Sequence, residues 1–142
     1  MDRDLERAIE WDCFHTQNRY YVLVDAGDYE GGGNLFTEDA IWTLWGQELH
    51  GRAEIIKGLQ DGLGPVFIRH YVSNITVNVI DENNAEVISY VHIYRHEWDE
   101  IKDGTVPMIG AWVLGRHDNK MVRTDEGWRI SRRDISGFLR RD

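Results

Sequence analysis

The sequence contains one cysteine, two prolines and no long run of apolar residues. Because Cys13 has no second cysteine to pair with, no disulfide can form within the chain, which is typical of a reducing compartment. No stretch approaches the roughly 20 apolar residues that a transmembrane helix needs, and the charged N-terminal residues are unlike a secretory signal. We therefore expect a cytoplasmic protein without a membrane partner, in which Cys13 is a small buried hydrophobe.

Basic residues are also scarce. There are 16 Lys and Arg residues against 25 Asp and Glu residues, which gives a formal net charge of −9. Phosphate backbones are repelled by such a surface at long range, so nucleic acid is not an expected partner. The local exceptions are the Arg132-Arg133 and Arg140-Arg141 pairs, which we interpret as a solvated strand end and tail.

Aromatic side chains, in contrast, are plentiful. Six Trp, six Tyr and four Phe residues occur within 142 residues, a length typical of one domain. Such side chains build cores and also line pockets for flat or apolar ligands. Trp42 and Trp112 are therefore expected in the core or in a pocket wall, and a small molecule is the expected ligand.

The first long pattern predicts a helix over residues 2–26. Its inward positions recur at steps of three and four: Leu5, Ile9, Cys13, Thr16, Tyr20 and Leu23/Val24. Asp2 or Asp4 can cap its start, and Gly27 can end it. Asp25 lies beside the inward stripe, where a purely apolar core would not hold a carboxylate. The glycines at 31–33 then allow only a short or broken helix, which we expect to be mobile near a pocket mouth.

The rest of the chain is predicted to form strands around one short helix that begins after Gly51 and ends before Pro65. The predicted strands cover residues 40–45, 67–81, 85–98, 108–123 and 128–138, with a polar loop at 99–107. His70 has the opposite parity to the apolar set that begins at Ile75, which predicts a bulge near residues 73–74. Bends of this kind curl a sheet, and a curled sheet capped by a long helix encloses a cavity. The pattern predicts one α+β domain over residues 1–142.

Five segments together resemble one family. They are Tyr20-x4-Asp25-x-Gly27-Asp28, Leu35-Phe36-Thr37-Glu38-Asp39-Ala40-x-Trp42, Gly51-Arg52-x-x-Ile55, Arg69-His70-Tyr71-Val72-Ser73-Asn74 and Val122-Arg123-Thr124-Asp125-x-Gly127-Trp128-Arg129-Ile130. In order and spacing they are similar to the SnoaL-like group of the nuclear transport factor 2-like superfamily. The resemblance implies a cone-shaped α+β barrel, in which N-terminal helices and a strongly curved, mostly antiparallel sheet enclose a pocket. It also implies a homo-oligomer.

The resemblance is closest to the dehydratase and dehydrochlorinase branch of that group. There an Asp near the end of the first helix pairs with a His in a later strand, and Asp25 and His70 occupy these positions. In the bile-acid dehydratase type a Tyr stands five residues before the Asp, as Tyr20 does here. This implies a cofactor-independent, dehydratase-like lyase or isomerase that acts on a small, mainly apolar cyclic metabolite. The other implied functions are a non-catalytic ligand-binding or polyketide-cyclase-like protein, and a structural subunit similar to the small subunit of ring-hydroxylating dioxygenases.

The residue types suit proton transfer. Histidine can accept a proton near neutral pH, and a carboxylate on one ring nitrogen fixes the tautomer and aims the other nitrogen at a substrate. Tyr20, or Tyr94 on a later strand, can donate to a leaving hydroxyl or an oxyanion. Structural alternatives stay open: His70 bonded to a backbone carbonyl, Asp25 capping the next segment as Asp28 would, and Tyr20 in the core.

His92-x-Tyr94-x-His96 has a superficial likeness to a metal site. Alternate residues of a strand share a face, so these three side chains point the same way and form either a pocket wall or a solvated face. The two histidines stand about 13 Å apart, four residue steps of a strand, which is too far to share one ion. No metal site is therefore predicted. His117, late in a long strand, is expected only to pair locally with Asp118.

Overall fold

The computed structural model describes residues 1–62, 66–97 and 104–142, which form helices on one side of a single sheet. The helices are α1 (Arg3–Asp25), α2 (Tyr29–Gly33) and α3 (Arg52–Asp61). The strands are β1 (Phe36–Leu44), β2 (Gln47–His50), β3 (Val66–Asp81), β4 (Asn84–Glu97), β5 (Val113–Thr124) and β6 (Gly127–Arg140). The predicted helix end before Pro65, the strand end at Trp98 and part of the loop at 99–107 lie outside the described residues.

Helix α1 confirms the helix predicted from the apolar spacing. The Asp2 side chain accepts a hydrogen bond from the Asp4 backbone N–H at the first turn, and Gly27, with a φ of 83°, follows the last. Its inward face is partly polar: Thr16 and Gln17 are buried beside Cys13 and Tyr20. Burial and the nearby Asp12 raise the pKa of the Cys13 thiol to about 12, consistent with a buried hydrophobe rather than a reactive thiol.

Helix α2 explains the glycine run. A Cβ atom on Gly33 would lie 2.2 Å from Cγ1 of Ile56 in α3, and one on Gly32 would lie 2.6 Å from Cγ2 of Val24 in α1. Both glycines are buried, so they allow α2 to pack closely between its neighbours. The run lies outside the lining of the central pocket described below, and its role in the fold is close packing.

The sheet has the strand order β2-β1-β6-β5-β4-β3. Strands β1 and β6 pair in parallel, and the other neighbours pair antiparallel. This confirms the α+β class and the curved, mostly antiparallel sheet. The barrel is not closed within the described ranges, because β2 and β3 remain as separate edges.

The bounds of β1 and β5 differ most from the predictions. Strand β1 begins at Phe36 instead of residue 40 and ends one residue early, because Trp45 and Gly46 form a two-residue hairpin with φ values of 50° and 82°. Strand β5 begins at Val113 instead of residue 108, because the segment before it, which holds Gly110 at a φ of 84°, leaves the sheet. No helix of the described residues is long and apolar enough to span a membrane.

Two bulges set which side chains face inward. In β3 the register against β4 shifts between Ser73 and Thr76, and Asn74 has a φ of 53°, which confirms the predicted bulge. In β6 the register shifts as well: Ile130 pairs with Met121, whereas Arg132 pairs with Lys120. Ser131 is the extra residue, so the parity of β6 reverses after it.

Candidate active site

A pocket lies between the helices and the concave face of the sheet. Its volume is about 170 Å³, and its wall is mainly apolar. Residues of α1, of α3 and of all six strands line it. Trp42 and Trp112 both line it, as does the hairpin residue Trp45. The side chains in its wall that can take part in proton transfer are Tyr20, Tyr21, His70 and His117.

The end of α1 and the start of β3 bring Asp25 and His70 into contact. Nδ1 of His70 lies 2.6 Å from Oδ1 of Asp25, and the backbone N–H of His70 donates to Oδ2 at 2.8 Å. His70 thus binds both carboxylate oxygens of Asp25. Arg69 donates to the backbone carbonyl of Asp25 at 3.2 Å, which secures the end of the helix. The two side chains are only 12% and 14% exposed, and the imidazole lines the pocket.

The structure decides between the alternatives left open for the pair. Asp28, and not Asp25, caps α2 by accepting from the Gly31 N–H at 2.8 Å. The ring partner of His70 is a carboxylate and not a backbone carbonyl. Because a carboxylate only accepts hydrogen bonds, Nδ1 of His70 carries a proton, and in the neutral ring the lone pair is on Nε2. The geometry therefore places an imidazole that is held by a carboxylate next to an apolar pocket.

Tyr20 is both a core residue and a pocket residue. Its ring packs edge-on against Phe36 and Trp42, with the Arg133 guanidinium 4.2 Å from the ring centroid. Burial raises the pKa of its phenol, an effect that the positive charge of Arg133 partly offsets. The phenol therefore stays protonated at neutral pH and can act as a donor.

Arg133 is fully buried, so its assignment to a solvated strand end is wrong. Its Nε donates to Asn119 Oδ1 at 2.6 Å and its Nη2 donates to Gln17 Oε1 at 2.8 Å. The bulge at Ser131 turns it inward, while Arg132 stays on the outer face and pairs with Asp134. Within the described ranges Arg133 forms no ion pair, and its Nη1 has no hydrogen-bond partner.

His117 does not pair with Asp118, which instead binds Arg116 on the outer face. The imidazole points inward, and its Nδ1 lies 2.5 Å from the hydroxyl of Tyr21. Burial is the largest cause that holds the pKa of His117 well below its ordinary value; the positive charge of Arg133 adds to it, as does that of His70 when His70 is protonated. The alternation of Val113, His117 and Met121 with polar residues in β5 is the sequence signal that could have placed this side chain inward.

His92, Tyr94 and His96 share a face, as predicted, but that face is the outer one. The alternate residues Val91 and Ile93 line the central pocket. Tyr94 and His96 line a separate groove of about 280 Å³ outside the sheet, together with Tyr71. This groove is larger than the central pocket, but neither side chain of the Asp25–His70 pair reaches it. We therefore leave the three residues out of the candidate site.

No group of three or more His, Cys, Asp or Glu side chains in the described part of the chain is arranged to hold an ion. His70 and His117 use Nδ1 for Asp25 and Tyr21, respectively.

The family model of the SnoaL-like domain matches residues 8–134 of this chain. The structure also superimposes on a candidate scytalone dehydratase from Novosphingobium aromaticivorans DSM 12444, with a TM-score of 0.83 and 20% identity, over 99% of this chain and 91% of the other. Among proteins with curated descriptions, none matches the sequence.

Two further solved structures share the fold. ActVI-ORFA from Streptomyces coelicolor has a TM-score of 0.74 and 18% identity, over 89% of this chain and 95% of the other. A protein from Catenulispora acidiphila, solved in complex with S-DNPA, has a TM-score of 0.70 and 18% identity, over 89% and 90%. Because the identities are below 25%, these likenesses show the fold alone.

Proposed function

The chain belongs to the SnoaL-like domain family, and from that premise we propose that it is a cofactor-independent lyase or isomerase of dehydratase type. The observation that carries the proposal is the hydrogen-bonded Asp25–His70 pair, whose imidazole faces an apolar pocket. The fold of the family serves many functions, so the argument rests on this site.

The proposed reaction begins with proton abstraction. Nε2 of His70 takes a proton from a substrate carbon, and Asp25 stabilises the imidazolium that results. The C–H electron pair forms a double bond while a hydroxyl or halide leaves from the neighbouring carbon with its own pair. Tyr20, protonated and beside the same pocket, donates a proton to a leaving hydroxyl, and the proton held by His70 returns to the Tyr20 phenolate by way of solvent after the product leaves. Return of the first proton to another carbon gives an isomerisation instead.

The pocket indicates the substrate. A volume of about 170 Å³ and a wall of Trp, Leu, Ile and Val side chains suit a small cyclic compound with little charge. The name of the Novosphingobium relative, a candidate scytalone dehydratase, agrees with elimination of water from such a compound. A cytoplasmic location remains a prediction from the sequence.

A panel of small cyclic alcohols and halides with an acidic neighbouring C–H tests the proposal. Product alkene is measured by mass spectrometry with the wild type, with His70→Gln and with His15→Asn, whose exposed histidine lies on α1. We expect turnover by the wild type and by His15→Asn, and a rate about 10²–10⁴-fold lower for His70→Gln. A rate for His70→Gln equal to that of the wild type would show that the imidazole is not the base.

A second candidate is a small-molecule binder without catalysis, and one observation favours it: a relative of the same fold is solved with S-DNPA bound. Such a binder needs the pocket but not the base. It would bind panel compounds with unchanged affinity in His70→Gln and would release no product. A structural subunit, the third possibility, is not favoured by a pocket that remains open beside the pair.

We also propose that the chain forms a homo-oligomer through the outer face of the sheet. Exposed apolar side chains lie on this face, including Tyr71, Tyr90 and Phe138. The rings of Tyr90 and Phe138 contact each other at 5.5 Å between centroids and form a shared apolar surface. The Arg116–Asp118 and Arg132–Asp134 pairs neutralise charge beside it.

A further inference from the structure

We propose that His117 is a second catalytic residue of this pocket, a neutral imidazole whose Nε2–H donates a hydrogen bond to a carbonyl oxygen of the substrate. The inference rests on the proposed function and narrows it: the substrate carries a carbonyl group next to the carbon that loses its proton. Neither the sequence pattern nor the family match assigns a role to this residue.

His117 lies in the right place for such a contact. It projects inward from β5, is 4% exposed, and lines the same pocket as His70. The ring of Tyr21 contacts both imidazoles, with its centroid 5.4 Å from that of His70 and 5.8 Å from that of His117. A small ring compound in this pocket can therefore meet both imidazoles.

A chain of hydrogen bonds fixes which nitrogen of His117 carries the proton. Arg133 only donates, so its contact orients the Gln17 amide with Oε1 toward the guanidinium. The amide nitrogen of Gln17 then donates to Ser89 Oγ at 2.8 Å and to the Tyr21 hydroxyl at 3.3 Å. That hydroxyl also interacts with Ser89, and we infer that its single proton is directed to Nδ1 of His117, which lies 2.5 Å away. Nδ1 is the acceptor, and the proton of the neutral ring resides on Nε2.

The two imidazoles of the pocket consequently have opposite roles. His70 donates from Nδ1 to Asp25 and keeps a lone pair on Nε2, whereas His117 accepts at Nδ1 and keeps a proton on Nε2. One ring can remove a proton and the other can stabilise the negative charge that appears on oxygen. Different partners on Nδ1, a carboxylate and a phenol, set this difference.

Its surroundings keep His117 uncharged. Burial is the largest cause that lowers its pKa, the positive charge of Arg133 from β6 lowers it further, and so does His70 from β3 once it is protonated; Tyr21 from α1 occupies Nδ1. Its neighbour across β4 is the uncharged Ser89. A neutral imidazole can polarise a carbonyl through its one N–H, a role known for neutral histidine in another enzyme.

The proposed step balances without another reactant. Nε2 of His70 accepts the proton, the C–H pair becomes the carbon–carbon π bond of an enolate, and the carbonyl π pair moves onto oxygen. The Nε2–H of His117 holds that oxygen and transfers no proton. The oxygen pair then re-forms the carbonyl, and the carbon–carbon π pair either becomes the new double bond while the leaving group departs with its bonding pair, or, through a conjugated double bond, supplies the pair with which another carbon takes the proton from His70.

A purely structural role is the alternative: the Tyr21–His117 hydrogen bond would then only satisfy two buried polar groups. Nitrogen-15 NMR of histidine-labelled protein at neutral pH determines the tautomer of His117 without any substrate. We expect the neutral Nε2–H tautomer for His117, assigned by its absence in His117→Leu, and loss of this preference in Tyr21→Phe. A neutral Nδ1–H tautomer, or an imidazolium, would overturn the proposal.

Exchange of the C–H next to the carbonyl of 1-indanone in D₂O tests the catalytic part. The rate is measured by proton NMR for the wild type, His117→Leu, His70→Gln and the surface control His15→Asn, all checked for folding by circular dichroism. We expect exchange to fall about 10²–10³-fold in His117→Leu, as for loss of one oxyanion donor, and to be unchanged in the control.

The outcomes distinguish the two proposals. If His70→Gln is slow and His117→Leu keeps the wild-type exchange rate, the inference about His117 fails and the role of His70 stands. If the wild type eliminates water or halide from the panel but does not exchange 1-indanone, the carbonyl substrate class is wrong and the lyase proposal stands. If His70→Gln exchanges as fast as the wild type, the proposed function itself fails.

Discussion

At the scale of single residues, the site depends on side chains that lie next to each other in sequence but on opposite faces of the sheet. Arg132 pairs with Asp134 outside, whereas Arg133 is buried and binds Gln17 and Asn119. An exposed ion pair contributes about 0–1 kcal/mol to stability, whereas loss of a buried charged hydrogen bond costs about 1.5–3 kcal/mol. The same substitution should therefore have different effects at the two positions.

We predict that Arg133→Lys lowers the free energy of unfolding by about 2–4 kcal/mol, because one ammonium cannot reproduce the planar fork that reaches two amide oxygens. Arg132→Lys is the matched control and should change it by less than about 1 kcal/mol. Urea denaturation followed by circular dichroism measures both. Equal losses in the two variants would contradict the assigned burial and contacts.

The sequence predicted Asp25 and His70 but not their neighbours, and the reason is physical. Asp25 departs from the apolar pattern of α1 and is therefore visible in the sequence. The family resemblance indicated His70 as its partner. The inward direction of Arg133 depends on one extra residue, Ser131, that reverses the strand parity. No local composition marks that residue, so the buried guanidinium could not be predicted.

At the scale of elements, the bulge in β3 lets one strand contribute both His70 to the pocket and Ile75 to the core. Asn74 is exposed and has a φ of 53°, the left-handed region that Asn tolerates better than β-branched residues. The sequence parity predicted this bulge because two inward sets of opposite parity require an extra residue between them. Strand ends were less predictable: nothing local marked Val113, rather than residue 108, as the start of β5.

We predict that Asn74→Val lowers the free energy of unfolding by about 1–2 kcal/mol, because a β-branched residue is strained at this φ. Asn74→Gly should change it little. Asn78→Val, at an exposed position of the same strand without positive φ, is the control and should not destabilise the protein, because valine favours strands. Thermal and urea unfolding measure all three. A stable Asn74→Val variant would mean that the bulge lies elsewhere.

At the scale of the whole molecule, α1 packs against the curved sheet and encloses a pocket. The buried His117 in the wall of this pocket makes the free energy of unfolding depend on pH. His117 is held in its neutral form, so the native state does not take up a proton there at mildly acidic pH. The unfolded chain does take one up, near the ordinary histidine pKa of about 6.5. More protons bound in the unfolded state mean that stability falls as the pH falls.

We predict that the free energy of unfolding of the wild type decreases below about pH 6.5 more steeply than that of His117→Gln. The difference between the two slopes of unfolding free energy against pH approaches about 1.4 kcal/mol per pH unit, the value for one proton. It persists until the pH falls to the pKa of His117 in the native state. Arg133, His70 and Tyr21 surround the ring and remain in both proteins, so their contributions largely cancel in the comparison. Urea titrations between pH 7 and pH 5 measure the difference. Parallel curves would contradict a neutral, buried His117.

The most direct test of the central claim compares two aspartates three residues apart. Asp25 holds His70, whereas Asp28 caps α2, a role that Asn performs as well. Turnover of a panel substrate is measured for Asp25→Asn and Asp28→Asn. We predict that Asp25→Asn folds normally but turns over about 10²–10⁴-fold more slowly, because an amide does not stabilise the imidazolium, while Asp28→Asn matches the wild type. Wild-type turnover by Asp25→Asn would contradict the proposed proton transfer.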